Sequence, residues 1–202
     1  GVSAPPPQRI EHLAAWRGAP NWWVTRPGEE NGAPGEWGAA RKRREGPVLL
    51  GRTRQTLPPR DFLWVEGKLP PVERGAYILA EMGEGAPEII LIGTGSELQL
   101  AVDAAVRLAT DGINVRVVSF PCWELFEQQE ASYREQVLPQ ATRAIIAVEA
   151  GVTQGWDRWV GEAGRIIGID HFGASAPGKE LLEQFGFTVA NVYQMTRGRL
   201  QR

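Results

Sequence analysis

Short unbroken apolar runs alternate with amphipathic ones along most of this chain, and the alternation predicts layered α/β structure. The clearest strand is EIILIG at 88–93, apolar at successive positions as in a strand buried on both faces. It runs into TGSELQLAVDAAVRLATDG, where Leu98, Val102, Ala105 and Leu108 or Ala109 recur at helical spacing. Ser96 and Gln99 have the spacing of a capping box, and Asp111-Gly112 stops the helix. NVRVVSF at 114–120 is the next strand, which completes a βαβ unit. An irregular, Glu-rich stretch follows, with a helix expected at 131–138. Then come the strand RAIIAVEA, a short helix GWDRWVG and the strand RIIGID. Pro177 stands in the first turn of a last helix, PGKELLEQFG.

The first part of the chain carries the same alternation in shorter pieces. Residues 9–20 read as an amphipathic helix with Ile10, Leu13, Ala14 and Trp16 or Arg17 in register. Trp22 to Thr25 is a short strand between Pro20 and Pro27. A Gly-rich helix is expected at 33–45, with Trp37, Ala40 and Arg41 on one side, and a strand at 48–53. Residues 56–87 are punctuated by Pro58, Pro59, Pro70, Pro71 and Pro87. They read as a linker with an extended piece at GAYILAE.

Composition narrows the function classes. With 43% hydrophobic and 23% charged residues the chain is globular in type. A formal net charge of −2 argues against a nucleic-acid binder that works through bulk charge. The basic run RKRRE at 41–45 reads as the solvated end of a helix. No apolar run is long enough for a membrane span. The single cysteine, Cys122, permits no intrachain disulfide; it suits a reducing, cytoplasmic setting and reads as a small buried residue. The N-terminal GVSAPPPQRIEH has no Met and no apolar signal core, and reads as a start partway through a larger protein.

Several residues are candidates for chemistry. GTGSE at 93–97 joins strand to helix, where backbone N–H groups can hold an anion; a dinucleotide fingerprint would need a glycine at Leu98, so a tight turn is expected. His12 and His171 have no partner at metal-ligand spacing, and a turn-stabilising hydrogen bond is expected of His171. Glu149 ends an apolar strand, either as a carboxylic acid of shifted pKa or, the preferred reading, as a structural group. Trp156 and Trp159 are three apart and expected to pack in a core or against a subunit. Arg52 and Arg54 point to one side of a strand end, as a phosphate-reading pair or as surface ion-pair partners.

The stretches GPVLLGRTRQTLP, VERGAYIL, LIGTGSELQLAVDAA, VRVVSFPCWELFEQQ, AVEAGVTQGWDRWVG and IGIDHFGASAPGKELLEQFGFT together resemble transketolase, in that family's order and over residues 8 to about 192. The resemblance implies a mostly parallel mixed sheet flanked by helices, the family's C-terminal domain, preceded by a partial α/β domain. Residues 1–65 would be the end of a thiamine pyrimidine-binding domain, 66–84 a linker and 85–202 the C-terminal domain. It implies transfer of a two-carbon ketol unit from a ketose phosphate to an aldose phosphate. Thiamine diphosphate and a divalent cation, Mg or Ca, would serve the complete enzyme, with neither bound by this chain alone. The expected partners are sugar phosphates, a second copy and the remaining transketolase domains, with no nucleic acid and no membrane.

Arg54 matches the family's substrate-phosphate arginine, and no catalytic or metal residue is carried over. Pro7 and Ser3 stand where the family pattern Gly-Glu-Asp-Gly-Pro-Thr-His has its histidine and its aspartate. This fragment alone is therefore expected to be inactive. The alternative is a non-catalytic dimerisation or regulatory module of the same fold. A deoxyxylulose-phosphate synthase is a third candidate, disfavoured by ASAPGKELLEQFGFT.

Overall fold

Five strands form the central sheet of the computed structural model, which describes residues 10–28, 32–52, 71–175 and 177–200. They are β3 (Tyr77–Met82), β4 (Ile89–Gly93), β5 (Val115–Ser119), β6 (Ile145–Val148) and β7 (Arg165–Ile167). Their spatial order is β3-β5-β4-β6-β7. All neighbours are parallel except β3, which closes one edge antiparallel to β5. The mostly parallel mixed sheet expected from the sequence is thus present.

The apolar run of β4 has a direct cause. Ile89 and Leu91 face one core with Val115, Val117, Ile146 and Val148, under the helices α3 (Leu98–Thr110) and α8 (Val189–Leu200). Ile90 and Ile92 face the other, with Val118, Phe120, Trp123, Phe126 and Trp156. Side chains alternate across a strand, so a central strand covered on both faces must be apolar at every position. The second core is capped by α4 (Trp123–Glu127), α5 (Ala131–Val137) and α6 (Asp157–Val160). Residues 178–184 form α7 behind Pro177.

Three local expectations change. Residues 77–82, grouped with the linker above, are a paired strand of the main sheet, because Pro71 and Gly75 on one side and Gly83, Gly85 and Pro87 on the other bracket an apolar run. The capping box at α3 does not form. A 3-10 turn over Gly95–Glu97 precedes the helix, Ser96 Oγ donates to Glu97, and Gln99 donates to Asp103. The Glu-rich stretch after β5 holds α4, whose apolar side chains Trp123, Leu125 and Phe126 are buried.

The first part of the chain is a smaller unit: α1 (His12–Arg17), β1 (Trp23–Thr25), α2 (Gly32–Lys42) and β2 (Val48–Leu50). β1 and β2 pair in parallel. Trp37 on α2 is 55% exposed rather than packed. Arg43 donates to the Asn21 carbonyl and covers the Trp23 ring, so the basic run is not solvated throughout.

Gly93 is where β4 hands over to the helical turn, and a Cβ there would lie 2.4 Å from Leu98 Cα, a backbone atom. Gly93→Ala should therefore destabilise the chain by about 1–3 kcal/mol in urea unfolding, since overpacking must shift α3 off the sheet. A wild-type midpoint would show that the start of α3 yields freely.

Candidate functional site

In an open α/β sheet the crevice at the carboxyl ends of the strands, where the chain reverses its winding, is the usual ligand site. Here the reversal lies between β4 and β6, since the chain passes from β4 to β5 on one side and then to β6 on the other. Thr94 and Glu97 follow β4, and Glu149 follows β6. All three are buried, although all three are polar.

Two arginines from the first unit fill this crevice. Arg17, at the end of α1, makes a two-pronged contact with Glu149: Nη1 to Oε2 at 2.7 Å and Nη2 to Oε1 at 2.8 Å. Its guanidinium lies over the Trp123 ring, 3.8 Å from the centroid. Arg26, just after β1, donates from Nη1 to Thr94 Oγ1 at 2.8 Å and to Glu149 Oε1 at 3.1 Å, and pairs through Nη2 with Glu97 Oε2 at 3.0 Å. The Thr94 hydroxyl donates to Glu149 Oε1 at 2.9 Å, and the Trp156 indole N–H donates to Oε2 at 2.8 Å. Glu97 Oε2 also accepts from the Ala150 amide at 2.9 Å. Two cations thus face two anions, with both oxygens of each carboxylate engaged.

The backbone follows the same route. Arg26 N–H donates to the Pro121 carbonyl at 2.8 Å, and the Arg26 carbonyl accepts from Gly95 N–H at 3.1 Å. Gly95 has φ +51°, and a Cβ there would meet Arg26 Nη2 at 2.8 Å. The GTGSE turn is therefore shaped to receive an arginine.

This arrangement decides what Glu149 is. Burial alone would raise its carboxyl pKa, but the charges and hydrogen bonds of Arg17, with Arg26 and Trp156, hold it at about 2. For Arg26 burial alone would lower the pKa, and Glu97 and Glu149 more than reverse that, leaving it above its ordinary value. A carboxylate so low and so fully bonded has no proton to give near neutral pH. The structural reading of Glu149 holds and the acid reading does not.

Cys122 is buried, and burial with the neighbouring Glu124 pushes its thiol well up, away from nucleophilic use. Trp156 is fully buried and makes edge-to-face contacts with Phe120 and Trp123; Trp159 packs against Phe120 and Phe126. His171 Nδ1 lies 2.9 Å from the Phe172 carbonyl, the local turn contact expected of it. Arg52 is exposed at the end of β2. Arg54, Pro7 and Ser3 lie outside the described residues. Sequence reasoning missed Arg17, Arg26 and Glu97. The available signal was Arg26, a cation straight after the strand β1.

The carboxylate makes stability pH-dependent. Its folded pKa of about 2 lies below the ordinary 4.5, so its contribution is complete above about pH 4.5 and is lost as pH falls toward 2. That loss is on the order of 3 kcal/mol, at 1.36 kcal/mol per pKa unit. Glu149→Gln should cost about 3–5 kcal/mol at neutral pH, because it strands buried cations. The gap to wild type in denaturant unfolding should narrow between pH 5 and pH 3. A gap that is constant with pH would contradict the assignment.

Comparison with known proteins places this chain in a family. Residues 75–188 match the family described as the transketolase-like TK C-terminal domain. Transketolase from Geobacillus stearothermophilus is 44% identical over 203 residues, 99% of this chain and 30% of that protein. The solved transketolase of Leishmania mexicana superposes with a TM-score of 0.85 at 36% identity, over 96% of this chain and 27% of that one. A split-gene transketolase, described as an inactive beta4 tetramer, shares the fold with a TM-score of 0.76 at 23% identity, over 96% of this chain and 63% of that one. The chain spans about a quarter to a third of the length of the curated transketolases it matches. These matches make the chain a member of the transketolase family, carrying that family's C-terminal region.

Proposed function

We propose that this chain is the end of a pyrimidine-binding domain, about residues 1–65, joined to a transketolase C-terminal domain. In the complete enzyme it serves the transfer of a two-carbon ketol unit from a ketose phosphate to an aldose phosphate. The observation that carries this reading is the extent of the match, 95–99% of the chain at 44–45% identity, so that both units and the crevice between them fall within it. Arg54 is assigned to the substrate phosphate, whose dianion suits a guanidinium fork.

The described residues do not fit thiamine diphosphate with its metal. None of them form a group of three or more His, Cys, Asp or Glu side chains able to hold a cation. Among the described residues, the GTGSE turn has the form of a phosphate cradle, but it receives the Arg26 carbonyl and presents the Glu97 carboxylate beside it, which would repel a diphosphate. On this reading the cofactor and its divalent cation, Mg or Ca, are held by the rest of the enzyme, on a longer chain or a partner. On the same reading this chain's own contribution is the substrate-phosphate contact of Arg54. No helix among the described residues is long and apolar enough to cross a membrane. The lone Cys122, buried and unreactive, supports a reducing compartment, here the cytoplasm.

A second reading, a non-catalytic dimerisation or regulatory module, is favoured by Pro7 and Ser3, which offer neither the imidazole nor the carboxylate of the family pattern. The split-gene relative, described as inactive in its beta4 form, is a parallel for a transketolase piece without turnover of its own.

A coupled assay with ketose and aldose phosphates, thiamine diphosphate and magnesium should give no turnover with this chain alone. In the complete enzyme, Arg54→Ala should raise KM for a phosphorylated acceptor about 10- to 100-fold, the worth of a charge-assisted contact, and leave an unphosphorylated one nearly unchanged. Turnover by the isolated chain, or an equal effect on both acceptors, would overturn the reading.

A further inference from the structure

A cavity of about 670 Å³ lies at the end of the sheet opposite the ionic crevice. Ile145, which opens β6, and Ala163, two residues before β7, both line it, so it sits at the amino ends of those strands. Its apolar lining is Phe126, Leu138, Ile145, Trp159 and Val160, the exposed margin of the second core. The segment that joins α5 to β6 forms one side and is pinned at three points. Gln140 N–H donates to Glu135 Oε1 at 3.1 Å, Thr142 N–H to the Pro139 carbonyl at 3.0 Å, and Thr142 Oγ1 to the Pro87 carbonyl at 3.2 Å. The end of α6 forms the other side and turns away at Gly161, with φ +67°. A concave, preformed space of about 300–1,000 Å³ with an apolar wall and a few polar groups is the usual form of a small-molecule site.

The charges around this space are unequal. Arg134, Arg143 and Arg158 line it, with Glu135 and Glu162. Arg158 is paired with Glu127 and lies over the Trp159 ring, 4.9 Å from the centroid. Glu135 is engaged by the Gln140 amide. The side chains of Arg134 and Arg143 are exposed and have no hydrogen-bond or ion-pair partner among the described residues; Glu162 is likewise unpaired. Three cations against two anions leave one positive charge over an apolar wall.

We propose that this cavity binds an aromatic monocarboxylate, its ring on the Phe126–Ile145–Trp159 wall and its carboxylate on Arg134 and Arg143. Guanidinium groups match a planar carboxylate through parallel N–H donors. A single negative charge neutralises the lining, whereas the second charge of a phosphate monoester would meet Glu162 uncompensated. All the lining residues belong to the C-terminal unit and none to the ionic crevice, so the site is separate from the contacts that join the two units.

Calorimetric titration of this chain at neutral pH with naphthoate, naphthol and naphthyl phosphate tests the assignment. Naphthoate should bind at least about fivefold more tightly than either of the other two, the worth of one charge-assisted contact at a partly open site. Arg134→Gln and Arg143→Gln should each weaken naphthoate by about fivefold or more and leave naphthol unchanged. Both arginines are exposed, so neither substitution should shift the unfolding midpoint. Glu162→Gln should tighten naphthoate and not naphthol, the opposite sign, which a loss of folding could not produce. Naphthoate bound no more tightly than naphthol, or unmoved by both arginine substitutions, would overturn the site. Tighter binding of naphthyl phosphate would overturn the choice of a monocarboxylate.

Discussion

The structure turns on one carboxylate placed where water cannot reach it. Glu149 is 1% exposed, and on its own it would be too costly to bury ionised. It is held charged by Arg17 and Arg26 from the other unit and by Thr94 and Trp156 from its own. The dependence is mutual. Arg17 would be a buried cation on Trp123, and Arg26 one beside Gly95, if Glu149 and Glu97 were not there. Both oxygens of each carboxylate are bonded, although Arg17 Nε is buried without a partner among the described residues. Such a network contributes little net energy compared with an apolar core, but it is severe on any other docking, because every misfit leaves a charge unpaired.

The crevice at the strand ends explains why the chain looks like a ligand-binding sheet and yet lacks a ligand-binding turn. GTGSE has the glycine placement and helix start of an anion site. It is filled from within the protein by an arginine and its counter-charges. The sheet thus treats the first unit as its ligand.

The strands were the most legible feature. EIILIG, NVRVVSF and RAIIAVEA are each set by burial on two faces, a constraint local enough to read one residue at a time. α8 gave no such signal, since its buried positions, Val192 and Thr196, are only two and one of them is polar. The capping box failed because a 3-10 turn over Gly95–Glu97 takes up Ser96 and leaves Glu97, not Ser96, at the N-cap of α3. At the site, Glu149 was visible as a carboxylate at a strand end, but its partners lie 132 and 123 residues away. No periodicity reports a contact at that distance; only the fold brings Arg17 and Arg26 to it. The transketolase resemblance named the right family from motif order, which local physics could not have done.

The central claim is that the two units are coupled through the Arg17–Glu149 contact. A double-mutant cycle with Arg17→Met and Glu149→Gln, read by equilibrium unfolding at neutral pH, tests it most directly. The account predicts that the double variant loses less than the sum of the two single losses by at least about 1.5 kcal/mol, as measured for tightly coupled buried charges. Losses that add to within about 0.5 kcal/mol, the scatter of independent sites, would contradict it.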